Sequence, residues 1–119
     1  MISCSFPKAL KIRTRKQYQR LSHKGSRCFG CYVMIEFCKR THAQTRLGIT
    51  VSKKYGKAHD RNRFKRTVRE AFRTCHHLLP PHLDLNVKPR GFHKNLKTQD
   101  VQKEMLLLLQ PSDNQVALL

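Results

Sequence analysis

The sequence predicts a single-domain α/β sandwich of the α+β type, in which helices cover mostly one face of a sheet. Three segments alternate apolar and polar residues with the period of two that is typical of a half-buried strand. Residues 64–79 instead repeat apolar residues at the spacing of an amphipathic helix. The chain has 119 residues, which is enough for one modest core. We therefore expect a single domain over residues 1–119, with its core in about residues 6–110.

Each of the three predicted strands has one apolar face. The first covers residues 29–38, the second lies in 46–52 and the third in 83–88. The apolar residues are Phe29, Cys31, Val33, Ile35 and Phe37 in the first, Leu47, Ile49 and Val51 in the second, and Leu83, Leu85 and Val87 in the third. Such a face must be covered, so we expect the long helix to pack on it. The apolar residues between Val101 and Leu109 predict a second covering helix.

Two further helix signals have clear ends. A short helix is predicted from Thr14 to Lys24, with Thr14 as its N-cap and Gly25 as its stop. For the long helix, Asp60 is the predicted N-cap. Its core-facing residues are predicted to be Phe64, Val68, Ala71, Phe72, Cys75, Leu78 and Leu79.

The polar face of the long helix is almost entirely cationic. It carries Asn62, Lys65, Arg66, Arg69 and Arg73, and is interrupted only by Glu70. Neighbouring like charges on a helix repel by a few tenths of a kcal/mol per pair. A polyanionic partner would relieve this repulsion, although a merely solvated run of charge is the simpler alternative.

Composition narrows the class of partner. The chain has 25 Lys and Arg against 7 Asp and Glu, a net charge of +18, which favours nucleic acid or an anionic membrane. No apolar segment approaches the ~20 residues of a membrane span, and the N-terminus lacks a signal-peptide pattern. We therefore expect a cytoplasmic protein. Its five cysteines fit a reducing compartment, and Cys28 and Cys31 form a lone CxxC, for which a redox or metal role is the less favoured reading.

The segment from Lys53 to Arg73, KKYGKAHDRNRFKRTVREAFR, resembles the RNR signature of the bacterial ribonuclease P protein family. The resemblance extends over roughly residues 6–109. It implies an αβββαβα-like order with a left-handed βαβ crossover, where the general rule would favour a right-handed one. It also implies that the protein binds a catalytic RNA through the matching positions. These are Lys53, Lys54, Lys57, Arg61, Asn62, Arg63, Lys65, Arg66, Arg69 and Arg73.

The second face of the predicted sheet, called the outer face below, is lined by polar and aromatic residues. A solvated face is one reading, because antiparallel sheets commonly leave one face wet. The resemblance implies instead a cleft for the single-stranded 5′ leader of precursor tRNA, in which aromatic residues stack on bases. The predicted cleft residues are Tyr18, Tyr32, Met34, Glu36, Thr50 and Ser52, and Asn86 shares their face. Glu36 is expected to project an acid into this cleft.

No cluster of catalytic groups is visible. The seven acids are scattered, and Glu36 with Asp84 is the only pair that strand parity could place on one face. We therefore expect no catalytic residue, metal site or cofactor on the protein. The resemblance implies an endoribonuclease ribonucleoprotein whose RNA subunit hydrolyses the substrate with Mg²⁺. Its expected partners are the catalytic RNA and precursor tRNA, with no membrane or small-molecule substrate. A basic structural RNA-binding protein, such as a ribosomal component or RNA chaperone, is the alternative, and a protein-only nuclease comes third.

Overall fold

A computed structural model describes residues 11–12, 14–39 and 44–109 as three helices and a four-stranded mixed sheet. The elements in chain order are α1 (Arg15–Lys24), β1 (Ser26–Phe29), β2 (Val33–Lys39), β3 (Arg46–Ile49), α2 (Ala58–Cys75), β4 (Leu83–Pro89) and α3 (Thr98–Leu109). In space the strands run β1-β2-β4-β3. Strand β3 is parallel to β4, and the other pairs are antiparallel. The fold class and the αβββαβα order are confirmed, and the hand of the crossover stays a prediction.

The prediction of one strand over residues 29–38 is wrong, because the chain reverses direction within it. The Gly30 N–H donates to the Val33 carbonyl at 2.8 Å, and β1 pairs with β2 so that Phe29 faces Met34. Phe29 therefore lies on the outer face rather than on the core face, and 58% of its surface is exposed. Tyr32 lies in the turn, with its ring edge-on to His93 at 4.9 Å. Alternation alone could not reveal the reversal, since both halves of the segment alternate.

A carboxylate from α3 holds this turn. Glu104 accepts hydrogen bonds from the backbone N–H groups of Cys31 (2.7 Å), Tyr32 (3.0 Å) and Val33 (3.1 Å). These donors compensate a side chain that is only 9% exposed. A Cβ on Gly30 would lie 2.2 Å from Glu104 Oε1, so a larger residue there would displace the carboxylate that holds the turn.

Helices α2 and α3 cover the opposite, apolar face of the sheet, as predicted. The buried residues of this core are Val33, Ile35, Leu47, Phe64, Val68, Ala71, Phe72, Cys75, Leu79, Leu83, Leu85, Val87, Val101, Met105 and Leu109. Leu78 was predicted to join them but is 62% exposed. The reason is that α2 ends at Cys75 and a 3₁₀ turn follows over His76–Leu78, so the rotation of 100° per residue does not continue.

Two predicted element boundaries are also wrong. The N-cap of α2 is Lys57, which makes no side-chain capping bond. Asp60 lies in the first turn instead, where its negative charge still favours the helix dipole. Strand β3 ends at Ile49, so Ser52 lies beyond the sheet that was predicted to include it.

Helix α1 lies against the outer face. Its N-terminus carries a complete capping box, in which Thr14 and Gln17 each accept from the other's backbone N–H. The helix ends at Gly25, as predicted. Leu21 is fully buried yet lies outside the main core cluster, because α1 packs on β2 and β4 from the side away from α2 and α3. The sheet is thus mostly one-sided, with one short helix over part of its outer face.

Candidate nucleic-acid interface

A cleft opens where α1, β3 and α2 meet. Its volume is about 260 Å³. The lining residues are Lys11, Ile12, Tyr18, Leu47, Gly48, Ile49, Lys65 and Arg69. An aromatic ring from α1 and two cations from α2 therefore border the same space. This combination suits a nucleotide, because the ring offers a stacking surface and the cations can hold a phosphate.

The ring of Tyr18 reaches the cleft because β3 has no side chain beneath it. A Cβ on Gly48 would lie 2.6 Å from Tyr18 Cε1 and 2.8 Å from the hydroxyl oxygen. The hydroxyl donates to the Ile12 carbonyl at 3.4 Å. Burial raises the pKa of Tyr18 above its ordinary value, and this outweighs the lowering by the positive charge of Arg69. The phenol is therefore neutral at physiological pH.

The basic residues of α2 do not form a single patch. Lys65 and Arg69 border the cleft with Tyr18, whereas Arg63 lies in a separate groove with Tyr55 and Phe92. The helix geometry explains the division, because Arg63 is about 160° from Lys65 at 100° per residue. The resemblance implies one role in RNA binding for Arg63 and Lys65, and the structure places them on two edges of one helix.

Some predicted RNA-binding residues also have structural partners. The Arg61 Nη1 donates to the Gly56 carbonyl at 2.8 Å, which closes the turn before α2. Arg73 forms an ion pair with Glu70, one turn earlier in α2, with Nε donating to Oε2 at 3.1 Å. The remaining positions are exposed and available to a partner, namely Lys53, Lys54, Lys57, Asn62 and Arg66.

The outer face of the sheet carries a row of polar residues in strand register. Arg27 faces Glu36, Glu36 faces Asn86, and Asn86 faces Gly48. The Asn86 amide donates to Glu36 Oε1 at 3.2 Å, and the Thr50 hydroxyl donates to Asn86 Oδ1 at 3.0 Å. These bonds link β2, β4 and the segment that follows β3 on the side where α1 lies.

Glu36 differs from its prediction. It lies on the predicted face but is 1% exposed, so it does not project an acid into the cleft. Its carboxylate oxygens lie 3.3 Å from Arg27 Nε and 3.3 Å from Lys88 Nζ. The Arg27 contact is an ion pair without hydrogen-bond geometry, which leaves Oε2 without a hydrogen-bond donor. One buried acid with two cations leaves this cluster net positive.

The other predicted cleft residues are spread apart. Met34 is half-buried on the outer face, and Thr50 and Ser52 are exposed after the end of β3. Tyr32 is in the β1–β2 turn, packed against the core. The sequence pattern did not place Phe29 and Arg27 on this face, and it placed Lys88 there without naming it as a cleft residue. The missed signal was Gly30, since an isolated glycine in a strand pattern often marks a turn or bulge.

The structure shows where the cysteine pair and the acid pair lie that the sequence offered as other possible sites. Burial raises the pKa of Cys28 to about 11, and its Sγ donates to the Ile35 carbonyl at 3.7 Å, while Cys31 is exposed in the turn. Asp84 lies on β4 beside the strand of Glu36 and is bound by Arg46 through two hydrogen bonds of 2.9 Å. Within residues 11–12, 14–39 and 44–109, no three His, Cys, Asp or Glu side chains group as metal ligands. Over the same residues, no helix is long and apolar enough to cross a membrane.

Comparison with known proteins identifies relatives with this fold. The family model for ribonuclease P matches residues 6–112. The ribonuclease P protein component of Chlamydia felis is 48% identical over 77 residues, which cover 64% of this chain and 55% of that protein. That of Chlamydia trachomatis serovar D is 44% identical over 94 residues, 76% of each chain. The solved ribonuclease P protein of Thermotoga maritima has a TM-score of 0.73 at 32% identity, covering 83% of this chain and 94% of that one. The chain therefore belongs to the ribonuclease P protein family.

Proposed function

We propose that this protein is the protein subunit of ribonuclease P. It binds the catalytic RNA and the 5′ leader of precursor tRNA, and so assists the endonucleolytic cut that makes the mature 5′ end. The observation that carries the proposal is the cleft between α1 and α2, where Tyr18, Lys65 and Arg69 border one space. The exposed cations of α2 would hold the catalytic RNA, and the cleft would take the leader.

The two surfaces suit these two partners for different reasons. Arginine presents a planar fork that binds phosphate through two parallel hydrogen bonds, so Arg66, exposed on α2 outside the cleft, fits a folded RNA backbone. The ring of Tyr18 instead offers a face to an unpaired base. A single strand that passes along the cleft would contact both the ring of Tyr18 and the cations of α2. The leader would then lie beside the catalytic RNA.

Hydrolysis belongs to the RNA subunit with Mg²⁺ in this proposal. The acids of the described residues all have protein partners, which supports a binding rather than a catalytic role. These acids are Glu36, Asp60, Glu70, Asp84, Asp100 and Glu104. The protein's own contribution is positioning, since its cations reduce the repulsion between two RNA chains. We place this activity in the cytoplasm.

Reconstitution tests the proposal. The purified protein should stimulate precursor tRNA cleavage by a bacterial ribonuclease P RNA at low Mg²⁺, and it should cleave nothing when that RNA is left out. The product should carry a mature 5′ end. Lys103→Ala, an exposed cation on α3, serves as the control and should stimulate like the unchanged protein.

Two outcomes would contradict the proposal. Binding to many RNAs without stimulation would favour a basic structural RNA-binding protein. Cleavage by the protein alone, repeated after removal of contaminating nucleases, would favour a protein-only nuclease.

A further inference from the structure

Part of the outer face lies beyond the cover of α1, at the β1 edge of the sheet. Because of the turn at Gly30, Phe29 shares this face with Met34 and Lys88, in one row across three strands. Phe29 is 58% exposed, and Arg27 lies beside it on the same face of β1 with 52% of its side chain exposed. An aromatic ring and cations are therefore presented together on an open strand edge.

The ring of Phe29 is backed by a fixed cation. The Arg90 guanidinium carbon lies 5.4 Å from the centre of the Phe29 ring, within the range of a cation–π contact. The same guanidinium donates to the Gly30 carbonyl at 2.8 Å, and the Arg90 N–H donates to the Tyr32 carbonyl at 2.9 Å. These contacts hold Arg90 against the turn, so that the exposed ring and its cation form a preorganised surface.

Arg27 and Lys88 are held in place by the buried carboxylate of Glu36. Arg27 and Lys88 approach opposite oxygens of Glu36, each at 3.3 Å. Glu36 is 1% exposed while Lys88 is 32% exposed, so the acid is hidden and the cations reach solvent. A single carboxylate cannot neutralise both, and an anion from solution can take the remaining charge.

We propose that Phe29 and Arg90, together with Arg27 and Lys88, form a second subsite for single-stranded RNA, which stacks one base on Phe29 and holds a neighbouring phosphate. This inference rests on the proposed function, which supplies the single strand. A base has an aromatic face and an adjacent phosphate, and this edge offers a partner for each.

The subsite is distinct from the cleft that contains Tyr18. Gly48 on β3 and Arg27 on β1 lie at opposite ends of the same row of four strands, which is about 14 Å at 4.8 Å per strand. The cations of α2 border the Tyr18 end. A leader that enters beside the catalytic RNA therefore reaches Tyr18 first, and only a longer leader extends to Phe29.

Leader length provides the test. Reconstituted holoenzyme would be titrated with precursor tRNAs that carry a series of leaders from one to about ten nucleotides. Phe29→Ala should weaken binding of the longest substrates about tenfold, which corresponds to one lost base stack, and leave the shortest unchanged. Phe29→Trp should restore binding, because it retains an aromatic face. Arg27→Ala should weaken binding of the same long substrates. It should also reduce the slope of log affinity against log salt concentration by about 0.7, the value for one phosphate contact to a single strand.

Matched controls separate this site from a general loss of structure. Leu107→Ala removes an apolar side chain that is 71% exposed on α3, and Lys103→Ala removes an exposed cation there. Neither should change leader affinity at any length. The inference is overturned if Phe29→Ala affects all leader lengths equally, or none. If the unchanged protein forms no active holoenzyme, the proposed function itself is contradicted, and the subsite with it. If Tyr18→Ala weakens leader binding while Phe29→Ala does not, the function stands and this subsite does not.

Discussion

Gly48 shows how a single residue can determine where a functional side chain lies. A methyl group at this position would overlap the Tyr18 ring, whose Cε1 atom would be 2.6 Å from the new carbon. Tyr18 can occupy the cleft only because β3 lacks a side chain there. In the proposed function, the glycine would therefore act on leader binding through the ring that it admits.

Replacing Gly48 with alanine should therefore displace Tyr18. We expect Gly48→Ala to destabilise the protein and to weaken leader binding as Tyr18→Ala does. In a Tyr18→Ala background the same change should cost little, because the clash is gone. Urea unfolding of the four proteins in a double-mutant cycle should show coupling of about 1 kcal/mol or more. Additive effects would mean that the ring does not depend on Gly48.

Burial of Glu36 changes the effect of its charge on the protein surface. A glutamate in an alternating strand was expected to project its charge into the cleft. In the structure it lies beneath two cations and is bonded to Asn86. Its effect on the surface is the reverse of that expectation, since it holds positive groups in place. Burying a carboxylate is costly unless such partners are present, so the acid and its cations function as one unit.

Helix α2 combines a structural face with two functional edges. Its apolar residues pack on the sheet and on α3, which fixes the rotation of the helix about its axis. That rotation directs Lys65 and Arg69 toward α1 and Arg63 toward Phe92. The core packing of the helix thus determines which cations border the cleft with Tyr18.

The two edges should differ in their effect on substrates. Arg63→Ala and Lys65→Ala should each weaken binding to the catalytic RNA. Each should also reduce the slope of log affinity against log salt concentration by about 0.7–0.9, the value for one phosphate contact. Lys65→Ala should also weaken leader-bearing precursor more than mature tRNA, because Lys65 borders the cleft with Tyr18. Binding titrations of both substrates at several salt concentrations would measure this. Equal effects of the two variants on precursor and mature tRNA would contradict the division, and Lys103→Ala serves as the unaffected control.

For the whole molecule, the dominant property is its charge. A net charge of +18 on 119 residues destabilises the compact state through self-repulsion, which an RNA partner or salt relieves. The Debye length shrinks from about 30 Å at 0.01 M salt to about 10 Å at 0.1 M. Over this range, charges on opposite sides of a small domain cease to interact.

Because this screening weakens the repulsion, we expect the melting temperature of the free protein to rise between about 0.01 and 0.1 M NaCl. Lys94→Glu, at an exposed position before α3, lowers the net charge by two. It should raise the melting temperature at low salt and reduce the rise on adding salt. Calorimetry of both proteins would measure these values. A melting temperature that falls with salt would show that attractive ion pairs outweigh the repulsion.

The sequence by itself determined the elements whose signals are local. The N-cap at Thr14, the apolar arc of α2 and the alternation of β3 and β4 each depend on neighbours within a few residues, so periodicity and capping chemistry predicted them. The RNR signature likewise identified the family, because it is a contiguous string. From these alone came the fold class, the basic helix and the expectation of an RNA partner.

Only the tertiary structure decided the arrangement of the outer face. The reversal at Gly30 is held by Glu104, which is more than seventy residues away in sequence, and it moves Phe29 from the core face to the outer face. The pairing of Glu36 with Arg27 and Lys88 requires the registers of β1, β2 and β4 together. The packing of α2 on the core decides which neighbours its two edges meet, α1 for Lys65 and Phe92 for Arg63. Each of these depends on contacts between distant segments, which local sequence patterns do not encode.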